Sequence, residues 1–159
     1  MLVVLYTAII IGTILIDQIC KYIAEKGASF SVVSDLLQVS PTRNKGMAFG
    51  MLSEWKYAQL LFNILTIVIL ILVAIFLLKT TNKSKTLHAS IAFMIGGTLG
   101  NYIDRLALKE VRDFILLDLR IPILQFNCNP ADVFITVGAV LFIVYCLFID
   151  KDAIFKKKK

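Results

Sequence analysis

The run from Tyr57 to Leu78 carries no charged residue, and it limits the possible folds more than any other feature of the chain. Its length suits the roughly 20 apolar residues needed to cross a bilayer as a helix. A surface helix of a soluble domain would show a polar face. Beyond its first turn this run has only Asn63 as a strongly polar side chain, expected to hydrogen-bond to another helix. Three more apolar runs lie at about 2–20, 88–106 and 131–149. The whole chain is 58% apolar with a mean hydropathy of +0.83, where a soluble domain is about 45–50% apolar. One integral membrane domain over residues 1–159, with four transmembrane helices, is the expected fold. The first run lacks a basic leader and a small-residue cleavage site, so it reads as a retained helix in which Gly12 permits close helix contact.

Charge sets the orientation. Basic residues outnumber acidic ones by 17 to 11, with dense clusters at Lys79, Lys83 and Lys85 and at Lys151 with Lys156–Lys159. No basic face interleaved with aromatics suggests nucleic-acid binding. Beside apolar spans, such clusters mark cytoplasmic loops and contacts with anionic lipid. Both termini are therefore expected in the cytoplasm. Cys20, Cys128 and Cys146 are odd in number and lack CxxC spacing, and His88 has no metal-ligand neighbours in sequence. No disulfide framework, metal or cofactor is expected.

With that orientation the remaining polar groups converge on the outer face. Asp17 ends the first span four residues before Lys21, a spacing that suits either a snorkelling pair or an inward-facing acid. Asn101, Asp104 and Arg105 end the third span on one helix face, after Gly96, Gly97 and Gly100 in a small-residue packing pattern. Asn129, Ala131 and Asp132 open the fourth span. Asn44 and Gly46 belong to the first outer connection and Asp113 to the second. In the first connection, Phe30–Val33 and Leu36–Ser40 are β-prone, broken by Ser34-Asp35 and by Pro41. Ionisable groups at a membrane edge are costly, so a functional site is the default reading. Two aspartates sharing a desolvated site cannot both ionise easily and can hold one proton between them. The motifs of serine, cysteine and zinc hydrolysis are absent, which leaves hydrolysis by paired acids. A proton-coupled transporter is the alternative, although transporter sites lie near the bilayer midplane. A non-catalytic scaffold would leave these polar groups without a purpose.

Asp17 with Lys21, Arg43-Asn44-x-Gly46-x-Ala48-Phe49-Gly50, Gly96-Gly97-x-x-Gly100-Asn101-x-x-Asp104-Arg105, Val111-x-Asp113-Phe114 and Asn129-x-Ala131-Asp132 occur in that order. The set resembles lipoprotein signal peptidase, signal peptidase II, along nearly the whole chain. The resemblance implies a four-transmembrane-helix, all-α membrane bundle with a small extracytoplasmic β-cradle and an interfacial helix, placed at Leu52–Ala58. It implies an aspartic endopeptidase of the bacterial cytoplasmic membrane, acting at the extracytoplasmic face. The substrate would be a diacylglyceryl-modified prolipoprotein, cut before its lipidated cysteine. A monomer in contact with membrane lipid is expected. By motif position Asp113 and Asp132 resemble the catalytic pair. Asp17, Lys21, Asn44, Gly46, Asn101, Asp104, Arg105, Asn129 and Ala131 resemble supporting or substrate-binding residues, with Lys21, Asn44 and Arg105 expected to hold the substrate. The family pattern Phe-Asn-x-Ala-Asp meets two asparagines here, Asn127 and Asn129, of which Asn129 has the matching spacing to Asp132.

Overall fold

Lipid tails are as apolar as leucine, so membrane helices associate through close packing and polar contacts rather than through a hydrophobic drive. Small residues therefore decide which helices can touch. A computed structural model of the chain describes residues 2–27, 29–33, 36–46, 55–80, 84–120 and 125–149. Its helices are α1 (Leu2–Lys26), α2 (Ala58–Lys79), α3 (Lys85–Leu108) and α4 (Pro130–Val144), the last continued by a π-helical turn over Tyr145–Ile149.

α3 is the middle of the bundle, and its glycines are the reason. A Cβ on Gly96 would lie 1.8 Å from Thr13 Oγ1 of α1, and one on Gly97 would lie 2.4 Å from the Ala131 carbonyl oxygen of α4. At Gly100 it would meet Asp17 Oδ2 at 2.6 Å. α4 answers with Gly138, whose Cβ would press on Ser90 O at 2.6 Å. Gly12 does not share this role, because a Cβ there would meet nothing within 4 Å. At the end of the bundle away from the aspartates, Leu87, Ile91 and Tyr145 form a buried apolar cluster. Asn63 Oδ1 is buried without a hydrogen-bond partner among the described residues, so the expected interhelical bond is not made through that atom.

Three helices are long and apolar enough to cross a bilayer, Val3–Lys26, Ala58–Leu77 and Pro130–Ile149, and most of each is exposed. α3 is as long, with 24 residues, but is less apolar because it carries Lys85, His88, Asn101, Asp104 and Arg105. Ser84 caps its start by accepting from the Leu87 N–H. Lys109 ends it in the left-handed region at φ 66°, donating its N–H to Arg105 O, and so turns the chain sharply into the next strand.

Outside the helices lies one antiparallel sheet in the order β1 (Phe30–Val33), β2 (Leu37–Asn44), β3 (Val111–Asp118) and β4 (Gln125–Cys128). Two sequence expectations need correcting. Pro41 does not end β2; the register shifts between Val39 and Thr42, and this irregularity takes up the residue that cannot donate to the ladder. The second outer connection, for which the sequence reading gives no strands, supplies β3 and β4, half of the sheet. The segment Trp55–Tyr57 is a turn whose Trp55 carbonyl accepts from the Ala58 N–H at 3.0 Å. The start of the expected interfacial helix, Met47–Gly50 and the terminal lysines lie outside the described residues.

Gly97→Ala should lower thermal stability in detergent, since overpacking against backbone costs about 1–3 kcal/mol. Gly12→Ala, facing open space, should leave the melting temperature unchanged or raise it slightly.

Candidate active site

The site starts with a buried ion pair on α1. Asp17 and Lys21 are both fully buried, which rules out the snorkelling arrangement. A charge taken out of water costs several kcal/mol unless its lone pairs and protons are satisfied. The Lys21 ammonium meets that condition: it donates to Asp17 Oδ2 at 2.8 Å and to Asn101 Oδ1 at 2.9 Å, and it lies 3.2 Å from Asp104 Oδ2. With three acceptors and no exposure, the Lys21 ammonium has its three donors directed at protein acceptors. Asp17 Oδ1 accepts from the Ala131 N–H at 2.9 Å. That N–H lies in the first turn of α4 and has no partner within its own helix. A carboxylate there also suits the positive end of the helix dipole.

Asn129 then joins everything that meets at the start of α4. Its Oδ1 accepts from the Asp132 N–H at 3.1 Å, and its own N–H donates to Asp132 Oδ2 at 3.1 Å, a reciprocal capping box with Pro130 in the first helical position. Its side-chain amide donates to Asp113 Oδ1 at 2.6 Å and to Asn101 Oδ1 at 3.1 Å. The Asn101 amide in turn donates to Asp132 Oδ1 at 2.8 Å. Both oxygens of Asp132 are thus occupied from behind. Asn127 is exposed on β4, opposite Leu116, and makes none of these contacts.

Asp113 arrives on β3. Its strand is paired with β2, where Thr42 stands opposite it in register and Asn44 opposite Val111. Asn44 Nδ2 donates to Asp113 Oδ2 at 3.0 Å, and Asn44 is itself oriented by the Gly46 N–H on its Oδ1 at 2.9 Å. Burial is the largest influence on Asp113 and pushes its carboxyl above the ordinary aspartate range; the Asp132 charge adds to this, while the amides of Asn44 and Asn129 oppose it. Cys128 on β4 feels the same surroundings, and its thiol is pushed up to about 11, first by burial and then by Asp132 and Asp113.

Asp113 and Asp132 line one cavity of about 650 Å³. Its polar end also holds Asn44, Asn101 and Arg105, and its apolar wall includes Val133, Ile135 and Val137 of α4. Arg105 stands over the Phe62 ring at 5.4 Å, and its Nε is buried without a hydrogen-bond partner among the described residues. Asp104 is not in that lining. It is turned the other way, toward Lys21, Gln18 and Arg112. Such a cavity can hold water between two carboxylates of which one retains a proton, beside a surface suited to hydrocarbon.

Apart from Asn127, the residues singled out from the sequence for the site lie together, Arg105 through the cavity wall and Gly46 and Ala131 through their backbone N–H groups. Two participants were missed. Gln18 donates to Asp17 Oδ2, Gly100 O and Asp104 Oδ1, and its polar side chain next to Asp17 was the available signal. Arg112 binds Asp104, Gln18 and Glu25, and only its place beside Asp113 could have drawn notice.

Known proteins resemble this chain along most of its length. A family model described as Signal peptidase (SPase) II matches residues 9–148. A lipoprotein signal peptidase of Anoxybacillus flavithermus is 33% identical over 150 residues, covering 90% of this chain and 85% of its own. One from Staphylococcus aureus is 35% identical over 162 residues, covering 96% and 93%. Among solved structures, a bacterial membrane enzyme determined by the in meso method at 2.3 Å superposes with a TM-score of 0.81 at 32% identity, covering 97% of this chain and 93% of that one. A second, at 1.9 Å, gives 0.77 at 30% identity, covering 93% and 94%.

Asn129→Ala removes the α4 cap and uncovers buried acceptors, so it should destabilise the protein by about 1–3 kcal/mol. Asn127→Ala, at an exposed position, should stay within about 0.5 kcal/mol of the native protein in the same thermal melt.

Proposed function

This chain belongs to the signal peptidase II family, and from that premise we propose that Asp113 and Asp132 are its catalytic pair. It is a membrane aspartic endopeptidase that removes signal peptides from bacterial prolipoproteins. The observation that carries the assignment is the bridge made by Asn129, whose amide holds Asp113 while its backbone N–H holds Asp132. Both carboxylates thereby reach the polar end of one cavity.

The reaction follows from one proton shared by two acids. The ionised carboxylate takes a proton from water, and the resulting hydroxide attacks the scissile carbonyl carbon. The protonated carboxyl donates a hydrogen bond to the carbonyl oxygen as charge develops there. Collapse of the tetrahedral intermediate breaks the C–N bond, and the acid that took up the water proton returns it to the leaving amine. Asn44, Asn101 and Asn129 orient the carboxylates, and the free edge of the Arg105 guanidinium steadies a substrate backbone carbonyl. Activity then falls in acid as the second carboxylate is protonated, and in alkali as the shared proton leaves. Burial raises the Asp113 carboxyl above the ordinary aspartate range, the direction that favours a proton on the pair.

Cleavage is placed just before a diacylglyceryl-cysteine, with the acyl chains against the apolar α4 wall. α3 is the fourth transmembrane helix in this reading; at about 1.5 Å per residue its 24 residues exceed a hydrocarbon core of about 30 Å. Asn101 and Asp104 face α1, α4 and the sheet rather than lipid, and Arg105 faces the cavity and Phe62 of α2. Both termini lie in the cytoplasm and the site lies at the extracytoplasmic face.

Asp113→Asn and Asp132→Asn should each abolish cleavage of a lipidated prolipoprotein while the melting temperature stays close to native. Asp104→Asn, which breaks the contacts behind the cavity, should instead lower that temperature. Normal turnover in either of the first two variants would remove the pair assignment.

Lipid should be required as well. Each buried acyl methylene contributes about 0.8 kcal/mol, so two acyl chains together supply more than a few side-chain contacts could replace. The same prolipoprotein lacking diacylglycerol should be cut negligibly in a side-by-side gel-shift assay in micelles, and equal rates would show that the lipid is not recognised.

A further inference from the structure

Asp104 is gripped by one neighbouring residue twice over. The Arg112 N–H donates to Asp104 Oδ2 at 3.0 Å, and the Arg112 guanidinium reaches Asp104 Oδ1 through Nη2 at 2.6 Å and Nε at 3.2 Å. Nη2 also donates to Gln18 Oε1 at 2.7 Å, and Nη1 to Glu25 Oε2 at 3.1 Å, both on α1. A planar guanidinium holds several partners at once through five donors in a rigid fork; an ammonium has three donors on a flexible stem and no such fork. The next residue along β3 is Asp113.

We propose that Arg112 is a positioning residue, which clamps the start of β3 to α1 and α3 and so sets where Asp113 stands opposite Asp132. The proposal rests on the catalytic reading of that pair. Arg112 itself is absent from the lining of the cavity that both aspartates share, so it acts through its neighbours. One route is the backbone, through the peptide it shares with Asp113. The other runs through Asp104 to Lys21, from Lys21 to Asn101, and from Asn101 to Asp132. Both aspartates are therefore tied to the same guanidinium.

Arg112 also sets the charge balance. Around Asp113 and Asp132 stand Asp17 and Lys21 from α1, Asp104 and Arg105 from α3, and Arg112 from β3 itself. Cys128 on β4 is an uncharged thiol through the neutral range. Glu25 lies at the outer, partly exposed edge, where it pairs with both Arg112 and Arg43, and Arg43 also meets Glu110. The inner set, the dyad included, has one more carboxylate than cations, so it is neutral when the dyad holds one proton. Taking away the Arg112 charge leaves a net negative cluster, which binds protons more tightly and moves both limbs of the activity profile toward higher pH.

The test compares kcat, KM and pH profiles of the full-length protein in micelles for Arg112→Gln and Arg112→Lys, with Asp113→Asn as control. For Arg112→Gln we expect kcat to fall roughly tenfold or more with KM nearly unchanged, and the profile to move up by about one pH unit. Arg112→Lys should return the profile to its native position but recover kcat only in part. A purely structural role would scale the profile without moving it, and that result overturns the proposal. So do native kcat and profile in both variants. Should Arg112→Gln fail to fold, Arg112→Lys decides alone: native kcat overturns the clamp, reduced kcat per folded enzyme at unchanged KM and melting temperature supports it, and a rate that falls only in step with a lost folded fraction overturns it. Turnover by Asp113→Asn would instead remove the catalytic reading beneath it.

Discussion

The buried ammonium of Lys21 is what the rest of the structure depends on. Without acceptors it could not stay charged at zero exposure, and its acceptors come from two helices: Asp17 from α1, and Asn101 and Asp104 from α3. The ion pair therefore fixes how those helices meet. Gly100 lets them come close enough, since a Cβ there would displace Asp17. Asp17 passes the constraint to α4 through the Ala131 N–H, and Asn101 passes it on to Asp132. A substitution at Lys21 would loosen three helices, not one contact.

This arrangement explains how several carboxylates can sit together away from bulk water. Each acid has a distinct set of donors. Asp17 is held by Lys21, Gln18 and a helix N–H; Asp104 by Lys21, Gln18 and Arg112; Asp132 by Asn101 and a backbone N–H; Asp113 by two asparagine amides. Direct cationic partners go to Asp17 and Asp104, which stay behind the cavity. The two acids that face the cavity receive neutral amides instead. Neutral donors orient a carboxylate without holding it as firmly in the ionised form as a cation would. In the proposed chemistry that division separates the acids that build the site from those that exchange protons.

Much of this was legible in the sequence, for physical reasons that differ by element. The helices announce themselves because lipid accepts only long apolar runs, and α2 shows this best. The site residues stand out because a polar group at such a place is costly, so Asp17, Asn101, Asp104, Asp113 and Asp132 could be read one by one. β3 was harder: Val111–Asp118 alternates poorly, since the polar Asp113 is buried and the apolar residues after it are only half covered. β2 was cut short at Pro41 because a proline ends most strands, and only the register shift beside it restores the pairing. Arg112 was hidden by its position, since a basic residue in an outer connection looks like any solvated charge until Asp104 is seen beneath it.

The hydropathy of α3 follows from the same physics. Near the site α3 shows Ile103, Leu106 and Leu108 on its exposed side. Its other side is enclosed by α1, α4 and the sheet, so it need not be apolar there, and glycine and polar residues can replace leucine. Its weaker apolarity is the consequence of being the helix on which the site is built. α2 is the opposite case. It gives Ala58, Phe62 and Thr66 to the interior and exposes Leu60, Ile64, Ile67 and Ile71. The helix easiest to recognise in the sequence thus contributes least to the polar network, and the helix that contributes most is the hardest to recognise as a span.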